Sequence, residues 1–169
     1  MQQNWFEPDW DPGLSIQNLP LKHFLEKGLK AIILDVDGTL IQGQDVLLHR
    51  LVKDWIIKAK PQLKLHLLSN NPSRKRIATV AEQVDLTFTF RAAKPRRGAL
   101  IKVIEQLQLN PGNIAIVGDR IFTDVLAGNR LGLYTVLVKP LNLDSCQTKN
   151  FNYQRLEQRI ARFLGANQR

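Results

Sequence analysis

The stretch ILDVDGTL, residues 33–40, is the most informative part of the sequence. It joins an apolar run to two aspartates, Asp35 and Asp37, which are separated by one residue and followed by a glycine and a threonine. A continuous apolar run over residues 30–36 is typical of a strand that is buried on both faces of a parallel sheet. Residues i and i+2 of an extended chain point the same way, so both carboxylates can face one crevice. Because two such close like charges repel each other, the pair indicates a bound cation.

Helix and strand patterns alternate along the chain around this stretch. Apolar residues at helical spacing predict helices over 21–29, 46–60, 74–84, 96–109 and 122–132. Apolar or Thr- and Phe-rich runs predict strands over 30–36, 63–71, 86–90, 113–119 and 133–138. This alternation predicts an α/β fold, a doubly wound Rossmann-like three-layer sandwich with a mainly parallel five-stranded sheet. Ligands of such sheets bind beyond the carboxyl ends of the strands, so the residues that follow each strand are expected to determine function.

The composition fits one globular domain. The chain has 169 residues, of which 44% are hydrophobic and 23% are charged, and these values are ordinary for a folded protein. We expect an N-terminal arm with a short helix over 1–29, a catalytic core over 30–140, and a tail with a helix over 141–169. A single cysteine excludes an internal disulfide and a cysteine-rich zinc site.

The formal net charge of +9 favours an anionic partner. That partner could be a phosphorylated substrate, an anionic lipid at a membrane surface or, less favoured, a nucleic acid. Basic residues near one predicted helix start, Arg74, Lys75 and Arg76, could draw phosphates to the site or form a solvated face. No apolar run reaches the about 18 residues of a transmembrane helix, and no secretory signal is visible. We therefore expect a cytoplasmic protein that could act peripherally at a membrane surface.

Polar side chains follow three further predicted strands. Ser69 and Asn70 follow the second strand, and Lys94 follows the third. Asp119 follows the fourth strand, with Asp124 five residues further on. Together with the first aspartate pair, these residues place carboxylates, a hydroxyl and a lysine at one edge of the sheet. In composition this is a metal-assisted phosphate site, and Mg²⁺, a hard ion that prefers oxygen ligands, suits it best.

The residue types suggest a division of labour. One ionised carboxylate of the pair can attack phosphorus and form an aspartyl-phosphate. The other can protonate the leaving oxygen and then deprotonate the water that hydrolyses the intermediate. Ser69, with the backbone around Asn70, can hydrogen-bond the phosphoryl oxygens, and Lys94 can neutralise their charge.

The four strand-end motifs resemble those of the haloacid dehalogenase superfamily of phosphatases. They are DVDGTL, an apolar strand ending in Ser69, Lys94, and GDRIFTD over residues 118–124. The resemblance implies that Asp35 is the nucleophile and Asp37 the general acid/base, and it matches Thr39 to the threonine of the first motif.

The same resemblance implies a set of magnesium ligands. They are Asp35, the backbone carbonyl of Asp37, and Asp119. Asp124 is then either a further ligand or a partner that supports the ligands.

The spacing of the motifs indicates whether the chain has a cap domain, which distinguishes the classes of this superfamily. Segments 41–68 and 70–93 hold only one helix and a strand or turn each, which leaves no room for the cap domain that many family members insert. The chain therefore resembles the capless class, subclass IIIA.

A finer resemblance, carried by KPRR (94–97) and by residues 118–141, is to the YqeG-like subgroup, which includes phosphatidylglycerophosphate phosphatases. That subgroup commonly has asparagine where Gly38 stands.

Other functions stay open at this point. A phosphatase for a small soluble phosphate ester would use the same residues. A phospho-acceptor signalling domain also pairs acids, a hydroxyl and a lysine on a doubly wound sheet, but its acceptor follows a middle strand. A nucleic-acid or ribosome-associated binding module could retain the phosphatase fold, because fold does not dictate function.

Overall fold

In the computed structural model, five strands form one parallel sheet with the order β3-β2-β1-β4-β5. The strands are β1 (Ala31–Leu34), β2 (Lys64–Leu68), β3 (Thr87–Thr89), β4 (Ile114–Gly118) and β5 (Tyr134–Leu137). The helices are α1 (Leu21–Glu26), α2 (Arg50–Ala59), α3 (Arg74–Glu82), α4 (Gly98–Leu107) and α5 (Leu126–Asn129). The structure describes residues 4–141 and Ile160, so apart from Ile160 the predicted tail helix lies outside the described residues. No described helix is long and apolar enough to cross a membrane.

Both faces of the sheet are covered, which gives the three layers expected from the sequence. Every residue of β1 is buried, and its side chains alternate between two apolar clusters. Ile32 and Leu34 pack with α2 and α3 on one face. Ile33 packs with α4 and α5 on the other face. This two-sided burial explains why the sequence of β1 is continuously apolar.

The register of the sheet brings the functional segments together. β1 lies at the centre, between β2 and β4. Leu34 is level with Leu67 of β2 and with Val117 of β4. Asp35 extends the ladder by one residue, because its backbone N–H donates to the Val117 carbonyl at 2.9 Å. Asp35 and Asp119 both follow strands that end at this carboxyl edge, and their carboxylates come within 4.8 Å of each other.

The N-terminal arm, irregular as predicted, covers the edge strand β5. Trp10 forms a parallel bridge with Val136, and its carbonyl accepts a hydrogen bond from the Leu137 N–H at 3.0 Å. The Asp9 carboxylate accepts from the Thr135 N–H at 2.7 Å and from the Thr135 hydroxyl at 3.0 Å. These contacts occupy polar backbone groups that an open sheet edge would expose.

The second predicted helix starts later than its sequence pattern suggests. The prediction began at residue 46, whereas α2 begins at Arg50. Gln83 holds the preceding segment as a loop, since its side chain accepts from the Leu48 N–H at 3.0 Å and donates to the Val46 carbonyl at 2.7 Å. Leu51 is 52% exposed. It lies in the first turn of α2, on the side away from the core.

The last predicted core helix, over 122–132, contains a wider turn. Residues Ile121–Val125 form a π-helical turn, which continues into the short helix α5. Such turns occur as local bulges and are frequent at functional sites. Here the turn carries Asp124, whose side chain is buried beneath the carboxyl edge of the sheet.

Candidate active site

Lys94 lies at the middle of a buried group of acids. Its ammonium donates to Asp35 Oδ1 and to Asp124 Oδ1, both at 2.6 Å, and to the Leu68 carbonyl at 3.0 Å. Its side chain is only 2% exposed. Burial by itself lowers the pKa of Lys94, but Asp124 and Asp35 outweigh it and hold that pKa above its ordinary value. Lys94 is therefore a fixed positive charge.

Three carboxylates converge beside this lysine. Asp35, Asp119 and Asp124 are all buried, and each offers an oxygen within 4.8 Å of the others. We call these three acids, together with Lys94, the buried centre. Burial raises the pKa of Asp35 to about 6 despite the opposing charge of Lys94. Burial, reinforced by repulsion from Asp35 and Asp124, raises the pKa of Asp119 to about 8. One lysine does not balance three buried acids, and the all-oxygen donor set suits a hard divalent cation.

Two glycines make room for these acids. A Cβ atom on Gly118 would collide with the side chain of Asp124. Gly38 has φ +90°, which favours glycine, and a Cβ there would lie 2.6 Å from Asp119 Oδ2. The YqeG-like subgroup that the sequence resembles commonly has asparagine at this second position. In this chain an asparagine there would require the Asp119 carboxylate to move.

Asp37 lies in a different environment, although it is only two residues from Asp35. Its side chain is 36% exposed and forms an ion pair with Arg76. The Ser69 hydroxyl donates to Asp37 Oδ2 at 2.9 Å. We call Asp37, Ser69 and Arg76 the half-exposed site. The Asp37 carboxylate is not among the three that converge, so the predicted metal contact through its backbone carbonyl stays a prediction.

Sequence reasoning missed the contact of Arg76 with Asp37. Arg76 was one member of a basic cluster, yet its guanidinium also donates to the carbonyls of Gly43 at 2.8 Å and Asp45 at 3.0 Å. It therefore joins α3 to the loop that follows the first motif. The available signal was its position in the first turn of α3, since helices of this fold begin at the carboxyl edge of the sheet. Ser73 caps that helix, and its hydroxyl accepts from the Arg76 N–H at 3.3 Å.

Two further predicted residues, Thr39 and Asn70, position Asp35 and Lys94. The Thr39 hydroxyl donates to Asp35 Oδ2 at 3.2 Å, so Lys94 and Thr39 together hold both oxygens of that carboxylate. The Asn70 amide clamps the backbone of Lys94: it donates to the Lys94 carbonyl at 2.9 Å and accepts from the Lys94 N–H at 2.7 Å. Its expected contact with phosphate stays a prediction, because in this structure its side chain holds the lysine loop.

Asp124 is held from several sides. Its Oδ1 accepts from Lys94, and its Oδ2 accepts from the Arg120 N–H at 3.3 Å and from the Thr123 hydroxyl at 3.2 Å. Three protein donors thus already occupy acceptor sites on its two oxygens. The choice between a further metal ligand and a supporting partner stays a prediction.

The structure brings the predicted site residues to one edge of the sheet. They are Asp35, Asp37, Thr39, Ser69, Asn70, Lys94, Asp119 and Asp124. Within residues 4–141 no additional domain covers this edge, since the segments between the motifs form only α2 and β2, and α3 and β3.

Comparison with known proteins identifies the family of this chain. Residues 91–152 match the family described as HAD-hydrolase-like. The Bacillus subtilis (strain 168) protein named "Probable phosphatase YqeG" is 30% identical over 161 residues, which are 95% of this chain and 92% of that protein. Phosphatidylglycerophosphate phosphatase 1 of Arabidopsis thaliana is 29% identical over 126 residues, which cover 69% of this chain but only 36% of the plant protein.

Solved structures give the same fold. The cobalt-bound deoxy-D-mannose-octulosonate 8-phosphate phosphatase of Haemophilus influenzae superposes with a TM-score of 0.54 at 19% identity, over 66% of this chain and 69% of that one. Identity of this level bears on the fold alone. The Bacillus relative, in contrast, is similar over nearly the whole length of both chains. The protein therefore belongs to the haloacid dehalogenase superfamily and is a phosphatase of its capless class.

Proposed function

We propose that this phosphatase is a Mg²⁺-dependent phosphomonoesterase that forms an aspartyl-phosphate on Asp35 and acts on phosphatidylglycerophosphate. One observation carries the chemical part of this proposal. The Asp35 carboxylate is held between Lys94 and Thr39 in the buried centre, while Asp37, two residues away, is half-exposed. The two acids therefore have separate environments, as a nucleophile and a proton-transfer group require.

The buried centre supports a Mg²⁺ site. Asp35 and Asp119 are the carboxylates that we propose as ligands, together with the backbone carbonyl of Asp37. Asp124 would orient Lys94, since its oxygens already accept from three protein donors. When bound, the ion would offset the repulsion among the acids and draw charge from the phosphoryl oxygens.

The nucleophilic step would belong to Asp35. Its carboxylate attacks phosphorus, the bond from phosphorus to the leaving oxygen breaks, and the electron pair stays on that oxygen. Lys94 and Thr39 fix the carboxylate before attack, which reduces the reorganisation that the reaction requires. Lys94 also places a full positive charge where negative charge develops on the phosphoryl group.

Proton transfer would belong to Asp37. It would protonate the leaving oxygen and then accept a proton from the water that attacks the aspartyl-phosphate. Ser69 and Arg76 hold its carboxylate apart from the buried centre. Its exposure gives the leaving group and water access to it.

The proposed substrate rests on three supports. The plant relative is named for phosphatidylglycerophosphate, although the match spans only 36% of that protein. The net charge of +9 favours an anionic lipid surface. The site lacks a cap over residues 4–141, which suits a substrate presented at a membrane.

Phosphate release from a substrate panel tests the proposal. Purified protein is assayed with short-chain phosphatidylglycerophosphate, sugar phosphates and nucleotides, with Mg²⁺ or with EDTA, and Asp35→Asn is the control. We expect Mg²⁺-dependent release from the lipid that is lost in Asp35→Asn. Release from the soluble esters alone would overturn the lipid substrate and favour the soluble-ester alternative. Equal activity in EDTA would overturn the metal requirement.

A further inference from the structure

We propose that a cavity beside the loop that carries Lys94 is a second anion subsite. It binds the phosphodiester of the substrate while the buried centre cleaves the phosphomonoester. This inference rests on the proposed function and names how its substrate would be selected. The cavity has a volume of about 330 Å³ and is lined by Trp5, Phe6, Arg97, Leu126 and Arg130. We call it the arginine cavity.

The arginine cavity adjoins the segments that carry the active-site residues. Arg97 lies three residues after Lys94, which limits the separation of their Cα atoms to about 11 Å. The Arg130 guanidinium donates to the carbonyl of Pro95, the residue after Lys94, at 3.4 Å. The segment that carries Lys94 therefore also forms one wall of the cavity, which makes the cavity a candidate site for a second group of the same substrate.

The N-terminal arm contributes a fixed wall to the cavity. The buried Asn129 amide donates to the carbonyls of Trp5 and Glu7, both at 2.9 Å. The Phe6 ring meets the Phe122 ring edge to face, with centroids 5.5 Å apart. Since Phe122 lies between the two aspartates of the fourth motif, the arm is attached to the active-site loop itself. The cavity is thus formed before any ligand binds.

The lining defines the chemistry of the ligand. Two guanidinium groups pair well with a phosphate group, to which arginine can donate two parallel hydrogen bonds. The other three lining side chains are apolar, and no acidic side chain is among the described lining residues. A volume near 330 Å³ lies at the small end of ligand pockets. The cavity therefore suits a phosphodiester and the glycerol carbons beside it, and the acyl chains would remain outside.

Two soluble substrates isolate the subsite. Propyl phosphate and propane-1,3-diol bisphosphate share the same leaving-group chain and differ only in the second phosphate. In the wild type we expect kcat/KM for the bisphosphate to exceed that for propyl phosphate by about tenfold or more. In the double variant Arg97→Gln with Arg130→Gln we expect this ratio to fall by 10- to 100-fold. Activity on propyl phosphate should fall less than threefold.

Arg96→Gln is the matched control. Arg96 lies on the same loop and loses one positive charge, as each single change of the double variant does, but it lines a different cavity, between β3 and α4. We expect it to change the ratio by less than twofold. The subsite is overturned if the wild type shows no preference, if the double variant keeps the preference, or if Arg96→Gln removes it equally.

Short-chain phosphatidylglycerophosphate separates this inference from the proposed function. If the wild type cleaves the bisphosphate by preference but not the lipid, the lipid substrate is wrong and the subsite stands. If it cleaves the lipid while the double variant shows an unchanged ratio, the subsite is wrong and the lipid substrate stands.

Discussion

The buried centre and the half-exposed site differ sharply, although Asp35 and Asp37 are two residues apart. Asp35 is buried against a lysine that is itself 2% exposed. Asp37 is 36% exposed and pairs with Arg76 of α3. Burial gives strong electrostatic control over a nucleophile, whereas exposure allows the exchange of protons and of leaving groups. The comparison indicates that two carboxylates only two residues apart can have different chemistry when different neighbouring side chains hold them.

The largest expected difference is in activity. Asp35→Asn removes the nucleophile, so kcat/KM should fall by about 10⁴-fold or more. Asp37→Asn removes acid/base catalysis, which is worth about 10²- to 10⁴-fold. The loss in Asp37→Asn should shrink with p-nitrophenyl phosphate, whose leaving group needs little protonation. Steady-state kinetics with that ester and an alkyl phosphate measure both effects, and equal losses with the two leaving groups would contradict the role of Asp37.

A charge change should cost more stability in the buried centre than in the half-exposed site. Lys94→Met leaves Asp35 and Asp124 buried without their cation, which should lower the free energy of unfolding by about 3–5 kcal/mol. Arg76→Gln breaks a pair whose acid is partly solvated, so the expected loss is about 1 kcal/mol. Urea unfolding in EDTA measures both values. Similar losses for the two variants would show that the buried centre is not electrostatically distinct.

The fold could be predicted because its main signals are local. β1 is buried on both faces, and its sequence is accordingly apolar throughout. The strand ends then place the acids of the buried centre, since parallel strands end at one edge. The approach of Arg76 to Asp37 was not predictable in the same way, because it depends on how α3 packs. The π-helical turn at Ile121–Val125 also escaped prediction, since its apolar spacing over so few residues matches that of an α-helix.

The repulsion within the buried centre should appear when Asp119 is neutralised. Without metal, Asp119→Asn removes one of three buried acids and should raise the free energy of unfolding by about 1 kcal/mol. With Mg²⁺, the wild type should gain about 2.7 kcal/mol at a concentration 100 times its Kd, whereas the variant should gain little. Thermal unfolding with Mg²⁺ and with EDTA compares the two. The control Asp54→Asn changes a partly exposed acid of α2 and should keep the full stability gain from Mg²⁺. A full gain in Asp119→Asn would exclude Asp119 as a metal ligand.

The smallest expected effect concerns a buried histidine, His66, that lies outside both regions. Both ring nitrogens of His66 are hydrogen-bonded, to the hydroxyls of Thr87 at 2.8 Å and Thr89 at 2.9 Å. Burial lowers the pKa of His66 to about 4, whereas the unfolded chain binds this proton near the ordinary value of 6.5. The stability that depends on neutral His66 is therefore complete above pH 6.5 and is lost as the pH falls towards 4.

The acids of the buried centre change the folding stability with pH in the opposite sense to His66. The pKa of Asp119 is raised in the folded state, so protonation there favours folding as the pH falls from about 8. Comparing the wild type with His66→Gln at pH 7.5 and pH 5 cancels this contribution. We expect the variant to lose less stability on acidification, by on the order of 1 kcal/mol. An identical pH dependence would mean that His66 titrates normally in the folded protein.

Trapping the phosphorylated enzyme tests the division between the two carboxylates most directly. The Asp37→Asn variant is mixed with p-nitrophenyl phosphate and Mg²⁺, quenched in acid, reduced with borohydride and digested for peptide mass spectrometry. Reduction converts an aspartyl-phosphate to homoserine. We expect homoserine at position 35, at a higher level than in the wild type, because the variant forms the intermediate but hydrolyses it slowly. Homoserine at another aspartate, or none while turnover continues, would contradict the assignment of Asp35 as the nucleophile.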